Sequence, residues 1–220
     1  MSDPRTSILL PAHNRGDVIG FSIRSVLWQT DRDFELLIVG DGCTDDTGAV
    51  VQSFGDPRIR WFDLPKAPNK GYANRNLVLK QARGTYIAYA QDDDLMLPDH
   101  LELLIGTMAA GDAAWGYSRP LWVGPDGMVF PYGTDLRHAD QFDHFMRTAN
   151  TIPSCNVAHR RDVMERSGYW PEDVEKVGDW PYWKRILTDH PDRGPACCQA
   201  PTVLHFHATW KKKENQFTQG

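Results

Sequence analysis

Apolar residues change period several times along the chain, and the changes mark out alternating strands and helices. Ser7-Ile8-Leu9-Leu10-Pro11 is a short apolar run ending at proline, which by length and flanks predicts a buried strand. From Val18 to Trp28 the apolar positions 18, 19, 23, 26 and 27 follow a helical period. Phe34 to Val39 is a second buried strand, broken by Gly40-Asp41-Gly42. Thr44 is placed to cap a helix running to Phe54, with Asp45 and Asp46 in its first turn. Arg58 to Phe62 predicts a strand, Asn74 to Ala82 a helix, and Gly84 to Ala90 a strand that runs into Gln91-Asp92-Asp93-Asp94. Pro98 then opens a helix through Met108.

The second half is less regular. Trp115 to Tyr117 and Leu121 to Val123 read as strands, and Gly124-Pro125-Asp126-Gly127 is a turn leading to Met128-Val129-Phe130, which predicts a hairpin. Helical patterns recur at 140–148, 160–167 and 179–188, and Val203 to His207 reads as a late strand. The alternation predicts an α/β fold with a Rossmann-like, mainly parallel central sheet covered by helices on both faces. Ligands of such sheets bind beyond the carboxyl ends of the strands. Those ends here carry His13-Asn14, Asp41 and the Asp92–Asp94 cluster.

The 220 residues suit one domain, with a substantial core and no need of metal or disulfide staples. A formal net charge of -5 argues against a nucleic-acid partner, which would call for a basic stripe. Four cysteines, at 43, 155, 197 and 198, form no CxxC pair and read as reduced thiols of a cytoplasmic protein. The first apolar run is too short for a signal peptide, and no segment has the length of a membrane span. Any membrane contact is therefore expected to be peripheral. Lys211-Lys212-Lys213 opens a polar tail, which is either solubilising or a means of steering toward anionic lipid.

Three consecutive carboxylates after a buried strand repel one another in a low dielectric. One reading is a solvated turn. The other is a divalent cation, for which oxygen-only ligands point to Mg²⁺ or Mn²⁺ bridging to substrate phosphates. Arg75 is either a surface arginine or a fixed positive charge near those phosphates.

Taken in order, several segments resemble glycosyltransferase family 2. They are Ser7 to Asn14, Ser22 to Thr30, Phe34 to Thr47, Asn74-Arg75-Asn76, Gly84 to Asp94 with Pro98, Ser154 to Arg161, Gly168-Tyr169-Trp170 and Gly178-Asp179-Trp180. The resemblance runs from residue 6 to about 207. It implies a GT-A fold and an inverting transfer of a sugar from a nucleoside-diphosphate donor to a carbohydrate, lipid-linked or small-molecule acceptor. Residues 1–98 would form the donor half, 99–207 a smaller acceptor side, and 208–220 the tail.

By the same resemblance Asp93 binds the metal, Asp94 shares that work, and Asp92 lies beside the donor ribose or phosphate. Gln91 stands where the family usually has its first Asp. A late histidine often completes the metal shell, and His207 matches its position better than His205. Pro11, His13, Asn14, Asp41 and Arg75 fall on the donor side, with His13 where an aromatic ring often stacks on the base. Gly40 replaces the acid that commonly contacts a uridine base, so Asp41 either takes that role or holds the turn.

Inversion requires a base on the acceptor side. The resemblance gives it to Asp179, with Gly178 replacing the first acid of the family's pair. Asp179 before Pro181 also fits an ordinary helix cap, and Glu172, Asp173 and Glu175 lie upstream as further acids. Trp180 and Trp170 are placed near the acceptor. Two other functions fit less well: a sugar-phosphate nucleotidyltransferase, whose Gly-rich basic loop after the first strand is missing, and a non-catalytic nucleotide- or carbohydrate-binding module.

Overall fold

The computed structural model describes residues 3–206. The described chain folds around one nine-stranded sheet in the order β3-β2-β1-β4-β8-β6-β9-β5, with β7 paired to β6. The strands are β1 (Thr6–Ala12), β2 (Phe34–Asp41), β3 (Ile59–Leu64), β4 (Tyr86–Tyr89), β5 (Leu95–Met96), β6 (Trp115–Val123), β7 (Val129–Pro131), β8 (Val157–Arg160) and β9 (Ala196–Phe206). The helices are α1 (Ile19–Leu27), α2 (Thr47–Ser53), α3 (Tyr72–Leu79), α4 (His100–Ala110), α5 (Ala139–Arg147), α6 (Val163–Ser167) and α7 (Asp179–Asp189).

Strands β3, β2, β1 and β4 are mutually parallel. The sheet turns antiparallel at β4–β8 and stays so at β8–β6, while β6 and β9 pair in parallel with a register shift. Parity explains why β1 and β2 are apolar without interruption. Ile8, Leu10, Leu36 and Ile38 enter a core with Ile23 and Val26 of α1 and Leu104 and Met108 of α4. Their neighbours Leu9, Leu37 and Val39 enter a second core with Val78 of α3 and Trp183 and Ile186 of α7. Successive side chains of a strand point to opposite faces, so covering both faces demands an apolar residue at every step.

Four expectations shift in detail. The two short strands at 115–117 and 121–123 are one strand, carried through Pro120 because its partner β9 is much longer than its apolar end suggested. The 160–167 pattern is the end of β8 followed by a five-residue helix. Thr44 does not cap α2; Asp45 accepts the Thr47 N–H instead, at 3.0 Å. The helix expected from Asn74 starts at Tyr72, after a 3₁₀ turn over Asn69–Gly71. His207 and Lys211–Lys213 lie outside the described residues.

Candidate active site

Beyond β3 the chain returns to the far side of β1 as β4, so the carboxyl ends of β1 and β4 flank a topological switch point. The acidic loop that follows β4 and the segment after it are fastened from α1 and the residue Gln29 just beyond it. Ser22 Oγ lies 2.8 Å from the Gln91 carbonyl and 2.7 Å from that of Asp94. Ser25 Oγ accepts the Met96 N–H at 3.2 Å. Gln29, fully buried, donates to the Ser25 and Leu97 carbonyls at 3.1 and 2.7 Å and accepts the Leu101 N–H at 2.9 Å. Sequence reasoning gave these three residues no role. The available signal was their helical spacing on a face that is otherwise apolar.

The three aspartates diverge. Asp92 accepts from Arg15 Nε at 3.0 Å, and Asp93 lies 3.7 Å from the same guanidinium. Both keep some exposure, at 21% and 13% of the side chain. Asp94 turns toward β9, where Oδ2 accepts from His205 Nδ1 at 2.8 Å and Oδ1 accepts the Phe206 N–H at 3.0 Å. The like-charge problem is thus divided between an arginine and a strand edge. Asp92 and Asp93 offer partly exposed carboxylate oxygens at the strand end, a donor set that fits a hard, hydrated Mg²⁺ or Mn²⁺.

Beyond the ends of β1 and β2, His13 is exposed and its Nδ1 sits 2.8 Å from the Asp41 carbonyl. Asn14 adopts a left-handed backbone with φ 53, and its Oδ1 accepts the Thr44 N–H at 2.8 Å. The loops after β1 and β2 are thereby joined. Asp41 holds its turn: its buried carboxylate accepts from Lys66 Nζ at 2.7 Å, the Ala67 N–H at 2.8 Å and Asn74 Nδ2 at 2.7 Å. Burial alone would raise its pKa, but these bonds outweigh it and hold the carboxyl below the usual value. Gly40 has a steric cause. A Cβ there would come within 2.3 Å of the Trp61 ring, which fills the space an acid would need.

A small cavity of about 50 Å³ opens beside these loops, lined by Pro11, Arg75, Gln91, Ser154 and Trp170 among others. Arg75 lies over the rings of Tyr72 and Trp170, at 5.0 and 5.3 Å from their centroids. It donates to the Lys70 carbonyl at 3.2 Å, while its buried Nε has no hydrogen-bond partner among the described residues. Burial lowers its pKa, and the charges of Asp179, Asp92 and Asp41 act in the opposite direction. Arg75 is therefore no plain surface arginine. A larger groove of about 300 Å³, lined by Lys80, Arg161 and Glu165 among others, lies near the start of β4 and away from these groups.

Asp179 is the first residue of α7, and the cap position falls to Gly178. Its Oδ1 accepts the Trp180 N–H at 2.9 Å and its Oδ2 accepts from Asn150 at 3.0 Å. Burial raises its pKa against the opposing effect of these bonds and of Arg75. A Cβ on Gly178 would meet the Tyr72 ring at 2.7 Å, and the Tyr72 hydroxyl accepts the Gly178 N–H at 2.9 Å. Among the other acids, Glu172 is tied to Asn76 at 2.8 Å, and Asp173 and Glu175 are exposed. Trp170 is 4% exposed and packed on Tyr72 and Tyr89, while Trp180 is partly buried and donates to the Phe145 carbonyl.

A Rossmann-like sheet with an acidic loop after its fourth strand and an opposing carboxylate at a late helix start is the layout of a GT-A glycosyltransferase. Residues 7–166 match the family described as Glycosyl transferase family 2, and the chain belongs to that family. It is 37% identical over 193 residues to the Escherichia coli UDP-Glc:alpha-D-GlcNAc-diphosphoundecaprenol beta-1,3-glucosyltransferase WfgD, covering 86% of this chain and 72% of that one. Several longer relatives are spanned over no more than 18% of their length. S. aureus TarS in complex with UDP-GlcNAc superposes with a TM-score of 0.73 at 16% identity, over 92% of this chain and 58% of that one. The Pyrobaculum calidifontis mannosyltransferase PcManGT in complex with GDP-Man and Mn²⁺ gives 0.68 at 17% identity, over 99% and 60%. These two likenesses show the fold. No helix among the described residues is long and apolar enough to cross a membrane.

Proposed function

We propose that the chain transfers a sugar, with inversion, from a nucleoside-diphosphate donor to a hydroxyl of a lipid-linked carbohydrate acceptor, working in the cytoplasm. One observation carries this reading. Asp92 and Asp93 stand beyond the carboxyl end of β4, where Arg75 lines the adjoining cavity with Pro11 and Gln91, in a chain that belongs to glycosyltransferase family 2. Asp179, held by Asn150 and its own helix and made more basic by burial, takes the proton of the acceptor hydroxyl as that oxygen attacks the anomeric carbon. Arg75, held over the rings of Tyr72 and Trp170, is the cation to meet the diphosphate, so little reorganisation accompanies departure of the leaving group.

Asp93, flanked by Asp92, is the group to hold Mn²⁺ or Mg²⁺, which when bound stabilises the charge developing on the leaving diphosphate. Asp94 is secondary at this oxygen site, since it turns toward β9, and His207 lies outside the described residues. The lipid-linked acceptor rests on the name of WfgD. The test is a thermal-shift series of nucleoside diphosphates with and without Mn²⁺, repeated on Asp93→Ala. Metal-dependent stabilisation in the wild type and its loss in the variant are expected. Equal stabilisation of both proteins would remove Asp93 from the site, and release of pyrophosphate during turnover would overturn the transfer itself.

A further inference from the structure

On the side of the acidic loop turned away from Arg15, three segments distant in sequence bring an acid, a thiol and an imidazole together. They are Asp94 after β4, Cys155 in the 3₁₀ turn before β8, and His205 near the end of β9. One ligand atom from each lies within 4.8 Å of the others. His205 Nδ1 stands 2.8 Å from Asp94 Oδ2 and 3.8 Å from Cys155 Sγ. Asp94 and Cys155 are buried, while the His205 side chain keeps 20% exposure and so leaves an edge open to solvent.

We propose that Asp94, Cys155 and His205 form a site for a thiophilic divalent cation, Zn²⁺, separate from the oxygen site at Asp93. The donor chemistry separates the two: a sulfur and a nitrogen select a softer ion than the carboxylates of Asp92 and Asp93 do. Distances fit as well. A tetrahedral zinc with ordinary bond lengths sets sulfur and nitrogen about 3.6 Å apart and nitrogen and oxygen about 3.3 Å apart. Sulfur and nitrogen already stand near that separation, and the Asp94–His205 contact opens by roughly half an ångström.

Protons balance simply. The thiol proton leaves to solvent and the imidazole proton moves from Nδ1 to Nε2, so one proton is released per ion bound. Water completes the fourth position along the exposed edge of His205. Because each ion bound displaces a proton, uptake depends on pH. An occupied site would pin β9 to the loop that carries Asp93. This inference does not rest on the proposed transfer reaction.

The test uses chelator-treated full-length protein without nucleotide, titrated with Co²⁺ as a spectroscopic stand-in for Zn²⁺. One equivalent is expected to give a thiolate-to-cobalt charge-transfer band that Zn²⁺ abolishes. The band should persist in Asp93→Ala and vanish in Cys155→Ser. Zn²⁺ affinity of Cys155→Ser should fall by at least the roughly 10–100-fold that loss of even an outer-shell partner costs. Should Cys155→Ser fail to fold, His205→Ala, at a partly exposed side chain, decides instead: its Zn²⁺ affinity must fall in the same way. No thiolate band, a band that survives in Cys155→Ser, or unchanged Zn²⁺ affinity in His205→Ala would each overturn the proposal.

Discussion

Replacing Asp179 by Asn tests whether this carboxylate is a base or only part of a helix start. The structure makes the stability side calculable. Asn keeps an oxygen for the Trp180 N–H but turns an amide toward Asn150, whose own Oδ1 is occupied by the Ile152 N–H at 3.2 Å. Asn150 must therefore give up one bond or the other, a cost of about 0.5–1.5 kcal/mol. Against this, the variant no longer buries a charge. Because the folded pKa of Asp179 is raised, its stabilising contribution is complete below the unfolded carboxylate pKa and is lost as pH rises through the folded value. At neutral pH the ionised group is a net cost that Asn removes. The two effects oppose each other, so Tm should move by no more than roughly 2–4 °C for a chain of this size. Turnover should fall by roughly 10²–10⁴-fold, or about 2.7–5.4 kcal/mol of barrier. The wild-type acid limb of kcat/KM should also be lost. Calorimetry, donor titration and a pH series of initial rates read all three. Transfer within a few-fold of wild type, or an unchanged acid limb, would refute the assignment and direct attention to Glu172.

Two further substitutions test the framework. Gln29→Ala removes three hydrogen bonds and strands the Leu101 N–H, while the Leu97 carbonyl keeps the His100 N–H, so a loss of about 1–3 kcal/mol in a denaturant melt is expected. A loss below about 0.5 kcal/mol would show that Gln29 does not hold the start of α4 in this way. Gly40→Ala should destabilise by about 1–3 kcal/mol through overpacking on Trp61, and Trp61→Leu in the same chain should recover part of it. Strict additivity of the two changes would deny the contact.

How much of this was legible in the residues depended on the range of the interaction. The parallel half was readable because each buried strand is an unbroken apolar run and each loop after it is polar, both local signals. Of strand β9 only the end from Val203 was, because Ala196-Cys197-Cys198-Gln199-Ala200 carries no strong strand pattern and is held by pairing with β6, distant in sequence. The site divided in the same way. Asp93 and Asp179 were singled out by the resemblance, from local motifs alone. The opposite orientation of Asp94 and the engagement of Asp41 by Lys66, Ala67 and Asn74 depend on neighbours 25 or more residues away, which no spacing rule reaches.

The two departures from the family's acidic pairs have a common physical form. At Gly40-Asp41 and at Gly178-Asp179 the second acid is present and the first is glycine, and in sequence both read simply as a missing carboxylate. In the structure each glycine lies under an aromatic ring from a neighbouring element, Trp61 at 2.3 Å and Tyr72 at 2.7 Å from where a Cβ would stand. Neither position can regain an acid by a single substitution, because the ring must move first. Tyr72 also accepts the Gly178 N–H and stacks on Trp170, while Arg75 lies over both rings. The change beside Asp179 is therefore built into the packing that positions Arg75. An acid at Gly178 would displace the Tyr72 ring on which Arg75 lies as well as crowd Asp179, so under the proposed roles one substitution reaches both sides of the site.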